Sequence, residues 1–148
     1  MKPIRTLILM ASEGRMRLAE NGGVGKGLAE LRTVEKSDLG GEPRGYADAE
    51  GCGQAAPGMA GHKFERPTSE REQARDAFSN AVIEMLEAQW HDGSYDRLVI
   101  AAPPRMLGAL RADLPAHIAE VLHADLDKDL TKIPLADLPS HLDRVLAL

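Results

Sequence analysis

The sequence predicts a single α/β domain built on a mixed β-sheet. Three observations lead there. Residues 4–11 and 97–102 are short, almost continuous apolar runs, the pattern of strands buried on both faces. Arg15 to Glu20 alternates polar and apolar residues, which suits a half-buried antiparallel strand. From Ser69 onward, apolar residues recur at helical spacing for more than twenty positions.

The elements follow in order. The run Ile-Arg-Thr-Leu-Ile-Leu-Met-Ala is the first strand, and Ser12-Glu13-Gly14 turns the chain. The second strand, Arg15 to Glu20, ends at Asn21-Gly22-Gly23, residues that tolerate positive φ. A third strand is expected from Leu28 to Glu35, completing an antiparallel meander.

Residues 37–68 change character. They hold seven of the chain's 14 glycines and three of its nine prolines, with no Val or Ile. Such a stretch buries little apolar area against its ordering entropy, so a long Gly-rich mobile loop is expected within the domain.

Ser69 and Glu72 have the spacing of a capping box. Ala74, Ala77, Phe78, Ala81, Val82, Met85, Leu86 and Trp90 then mark one helical face, and Gly93 ends it. Arg97 to Ala102 is a central strand, parallel to the first. Pro103 stops it and Pro104 starts a helix whose buried face is Met106, Leu107, Leu110 and Leu114. A last strand is expected near residues 120–127. Leu135, Leu138, Leu142, Val145 and Leu146 mark a C-terminal helix, with Pro134 and Pro139 limiting its first turns. The order β-β-β-α-β-α-β-α is that of a ribonuclease H-like mixed sheet with helices packed on it.

Composition narrows the function. The chain has 148 residues, one domain's worth, with 43% hydrophobic and 28% charged residues, enough to build a core without staples. A formal charge of −5 argues against a general nucleic-acid binder, though not against a local basic patch. The single cysteine, Cys52, permits no intrachain disulfide and fits a reducing compartment. No run is long enough to span a membrane and no secretory pattern opens the chain, so a cytoplasmic protein is expected.

No catalytic constellation stands out. The five histidines have no zinc spacing, and no cofactor motif is present. Asp125, Asp127 and Asp129 invite comparison with a metal-dependent nuclease. Such a site needs carboxylates converging from several strands, and the first strand offers only Glu13 beyond its end. Pro104, Arg105 and Arg111 form the candidate binding group. They follow the carboxyl end of a central strand, where a helix N-terminus and two arginines could meet an anion or an RNA phosphate. A second basic group gathers Arg44, Lys63, Arg66, Arg71 and Arg75 around Phe64, largely offset by nearby carboxylates.

Several stretches resemble the bacterial host attachment protein family. They are Leu7 to Leu18, the helix near Glu70 with Phe78, the block Arg97 to Arg111 containing Ala-Pro-Pro-Arg-Met-Leu-Gly-Ala-Leu-Arg, and Asp127 to Thr131 (Asp-Lys-Asp-Leu-Thr). The layout more distantly resembles the central domain of archaeal and eukaryotic peptide-chain release factors. There a loop Gly-Gly-Gln positions water on peptidyl-tRNA. The echo here is Gly51-Cys52-Gly53-Gln54, in which Cys52 separates the glycines, so the resemblance makes Gln54 the candidate catalytic residue. The host attachment resemblance implies a role in bacteria attaching to host cells and no reaction; with no export signal visible, a non-enzymatic intracellular binding protein with an unknown protein partner is expected. The release-factor resemblance implies the alternative, a ribosome-associated protein acting on peptidyl-tRNA.

Overall fold

A computed structural model describes residues 3–39 and 69–146. Strands β1 (Thr6–Ala11), β2 (Arg15–Asn21) and β3 (Ala29–Glu35) form the expected meander. A four-residue helix α1 (Lys36–Leu39) follows, then α2 (Glu70–Asp92), β4 (Arg97–Ala101), α3 (Pro104–Asp113), a short α4 (Ala116–Ala119) and β5 (Leu122–Leu126). The chain closes with a 3₁₀ turn over Leu135–Asp137 and the five-residue α5 (Leu138–Leu142).

The five strands lie in the order β3-β2-β1-β4-β5. β2 is antiparallel to both β1 and β3, whereas β4 is parallel to β1 and to β5. β1 is therefore the hub, with Leu9 opposite Leu18 on one side and Ile100 on the other. Every residue of β1 is buried. Leu7, Leu9, Leu98 and Ile100 face a core closed by Phe78, Val82 and Leu86 of α2 and by Met106 and Leu110 of α3. Ile8, Met10 and Val99 face the other way, onto Leu130, Leu138, Leu142 and Leu146. Burial on both faces is what the unbroken apolar runs encode.

α2 begins with the capping box its sequence announces. The Ser69 Oγ accepts from the Glu72 amide at 3.1 Å, and the Ser69 amide donates to Glu72 Oε1 at 2.9 Å. It ends at Gly93, where an added Cβ would collide with the Tyr95 ring. That ring cannot retreat easily. Its hydroxyl donates to Glu20 at 2.8 Å and accepts from Gln89 at 3.0 Å, and the Arg5 guanidinium sits 4.8 Å from the ring centre.

Three expectations need correction. Residues 37–39, expected within the mobile loop, complete α1, where Asp38 accepts from the Glu35 amide at 3.1 Å. The C-terminal helix is broken: Pro134 precedes the 3₁₀ turn and Pro139 falls in the first turn of α5, so the leucines pack from two short pieces. β2 is more than half buried, because Arg17 is only 6% exposed beneath the C-terminal segment. Its guanidinium donates to the carbonyls of Leu130 (3.0 Å), Thr131 (3.3 Å) and Ile133 (2.6 Å), and pairs with Glu30 at 2.7 Å. The rest of the loop, residues 40–68, lies outside the described residues.

Candidate functional site

The sheet contains a switch point between its parallel neighbours β1 and β4. From the carboxyl end of β1 the chain turns toward β2. From the carboxyl end of β4 it leaves through α3 toward β5. Open α/β sheets bind ligands in the crevice such a divergence leaves. Three groups meet there: the Ser12-Glu13-Gly14 turn, the first turns of α2, and Pro103-Pro104-Arg105.

Hydrogen bonds hold the turn from both directions. Gly14 carbonyl accepts from the Lys36 amide at 2.8 Å, which ties α1 to it. Glu13 accepts from Arg71 Nε at 3.1 Å and from Arg75 Nε at 3.0 Å, which ties α2 to it. The chain thus departs into residues 40–68 and returns from them at the same turn.

α2 and α3 run side by side in the same direction. Ser79 in α2 donates to Asp113 near the end of α3 at 2.8 Å, while Glu72 lies within the field of Arg105 at the start of α3. Two helix N-termini therefore face the crevice, a favourable place for negative charge. Pro103 caps α3 without any side-chain hydrogen bond, and Pro104 occupies the first helical position, as its sequence predicts.

The electrostatics follow from these contacts. Partial burial alone would raise the Glu13 carboxyl, but hydrogen bonds from Arg75 and then Arg71 outweigh it and hold Glu13 below the usual carboxylate value. The Ser69 amide at the cap lowers Glu72, with Arg75 and Arg105 adding to the effect. A depressed carboxylate stabilises the fold above its unfolded value near 4.5, and that contribution is lost as pH falls through the folded value. Urea unfolding across pH should therefore show wild type losing stability below about 4.5, with Glu13→Gln less stable at neutral pH and flatter in acid.

The other sequence candidates are distributed as follows. Arg105 is exposed at the crevice. Arg111 points its Nη1 to Asp125 on β5 at 2.9 Å, so these two residues meet each other across the α3–β5 connection. Asp125 is thus ion-paired, not one of a set of converging carboxylates. Asp129 shapes its own turn, accepting from the Thr131 amide (2.9 Å) and hydroxyl (2.6 Å). The Asp-Lys-Asp-Leu-Thr stretch thereby presents two of the three carbonyls that hold Arg17, those of Leu130 and Thr131. Among the described residues no group of three or more His, Cys, Asp or Glu could hold a metal ion. His91 and His117 stack at 5.9 Å on the surface. Gln54, Cys52, His62, Arg44, Lys63, Phe64 and Arg66 lie outside the described residues.

Sequence reasoning missed the second side of this edge. A shallow cleft of 360 Å³ is lined by Ser12, Gly14, Arg15, Glu35, Asp129 and Lys132. Its two cations and two carboxylates balance, and Arg15 pairs with Glu35.

Comparison with known proteins supplies the family. The model of bacterial archaeo-eukaryotic release factor family 12 matches residues 5–142. The chain belongs to this family. The match covers the whole sheet and both crevice helices, so the family's core is the structure described above. The host attachment resemblance finds no support in the comparisons, whereas the release-factor resemblance does. No curated protein matches the chain. Among solved structures, an archaeal protein superposes with a TM-score of 0.49 at 12% identity, over 97% of this chain and 35% of its own. An archaeal translation termination factor superposes with a TM-score of 0.44 at 11% identity, over 95% of this chain and 38% of its own. The chain spans a little over a third of the length of these structures. No helix among the described residues is long and apolar enough to cross a membrane.

Proposed function

We propose that this chain is a release-factor-like protein that works at the ribosome, on peptidyl-tRNA. The observation that carries the reading is membership of the release-factor family across residues 5–142. The anchoring of residues 36 and 71 at one turn supports it, because the segment between them is then delivered from a fixed point at the carboxyl edge of the sheet. On this reading Gln54 positions water within that segment. The strand order β3-β2-β1-β4-β5, with β2 antiparallel, supports a ribonuclease H-like description of the sheet. A ribosomal role entails the cytoplasm.

The test is co-sedimentation with ribosomes across a salt series, beside a variant lacking residues 40–66. Wild type should bind and lose on the order of tenfold in affinity for a fourfold rise in salt, as counterions reclaim the phosphates. The deletion variant should bind poorly at every salt. Gln54→Ala should keep binding and lose peptidyl-tRNA hydrolysis. Failure of wild type to bind at low salt would remove the ribosome from the reading.

A further inference from the structure

Arg75 carries the clue. It is 7% exposed, on the face of α2 turned to the sheet. Its Nε is satisfied by Glu13, yet its Nη2 is buried and has no hydrogen-bond partner among the described residues. A guanidinium has five N–H donors in a rigid planar fork, and a buried donor left open on a charged group is costly. Folded proteins rarely leave such a group unmatched, which points to an acceptor brought by a ligand.

The surroundings indicate the acceptor's chemistry. Arg71 and Arg75 share the single carboxylate of Glu13. Arg105 stands exposed in the first turn of α3, which packs beside α2. Arg71, Arg75 and Arg105 stand here with Glu13, Glu70 and Glu72, at an edge toward which two helix N-termini point. An anionic acceptor answers a charged donor such as Arg75 Nη2 more strongly than a neutral one. A phosphate group suits this arrangement, because its several oxygens can meet more than one guanidinium at once. Arg71, whose side chain is 77% exposed, and Glu13, at 30%, lie on the solvent side of Arg75. Arg111 takes no part, being held by Asp125.

We infer that Arg75, Arg71 and Arg105 form a site for one phosphate group at the carboxyl edge of the sheet. Resting on the release-factor reading, that phosphate belongs to an RNA backbone. The site would fix the RNA beside the turn from which residues 40–68 depart.

The experiment follows the arginine Nε–H signals by NMR while sodium phosphate is added, against sodium chloride at matched ionic strength. The Arg75 signal should shift and saturate with phosphate and stay still with chloride. Arg105→Gln, an exposed change that leaves the fold intact, should weaken phosphate at least threefold. A short RNA strand should compete with phosphate for the same signal. Equal responses to phosphate and chloride would overturn the site, whatever the ribosome assay shows. An unchanged affinity in Arg105→Gln would overturn the three-arginine composition. Phosphate binding without RNA competition would overturn the RNA assignment. Phosphate binding with no ribosome association would leave the site standing and remove the release-factor reading instead.

Discussion

Arg17→Ala should destabilise the protein by about 3 kcal/mol, read as a fall in the urea midpoint. The side chain is 6% exposed and gathers three backbone carbonyls and one carboxylate. Removing it strands acceptors that cannot be mutated away, because Leu130, Thr131 and Ile133 offer main-chain oxygens. This distinguishes the site from an ordinary buried ion pair, where apolar replacement of both partners can be neutral. Glu30 moderates the loss, since its side chain is 31% exposed and can turn to water. Arg17→Lys should recover less than half, because one ammonium cannot span the carbonyls and Glu30 together. If Arg17→Ala costs under about 1 kcal/mol, the C-terminal segment is held by its leucines alone.

Leu9→Ala should cost about 3–4 kcal/mol. Leu9 is fully buried at the centre of β1, between Leu18 on β2 and Ile100 on β4, and belongs to the core under α2 and α3. Strands paired on both sides cannot collapse into the space left, so the cavity persists and its cost adds to lost transfer energy. The urea midpoint should fall with no change in slope, as expected when native stability changes and the surface exposed on unfolding does not. A much smaller loss would mean that Phe78 or Met106 repacks into the gap.

These two residues also mark how far the sequence could be read. Leu9 was legible: an apolar run too short for a helix and flanked by turn residues fits a buried strand. The capping box of Ser69 and the helix start at Pro104 were legible because the residues that act are neighbours in sequence. Arg17 was not. Alternation along β2 puts it on the polar side of a half-buried strand, and nothing nearby reveals that a segment more than a hundred residues later covers that side. Its acceptors are carbonyls, which have no signature in residue type. The same distance hid the Glu13–Arg75 pair, 62 residues apart, so Glu13 read as part of a turn and as a carboxylate beyond the end of the first strand, not as a partner of α2. Arg111 and Asp125 were each noticed alone. Their meeting depends on how β5 lies beside α3, which spacing does not encode. α1 and α4, of four residues each, are too short for any periodic pattern.

The long reach of Arg17 also bears on how the protein comes into being. The Leu130 carbonyl it needs is made 113 residues later. At a translation rate of roughly 5–20 residues per second, the arginine waits about 6–23 s for its acceptor. Throughout that interval Ile8 and Met10 on β1 lack the leucines that will cover them. The hairpin of β1 and β2 therefore emerges with one apolar face open, and that face stays open until α5 has emerged as well.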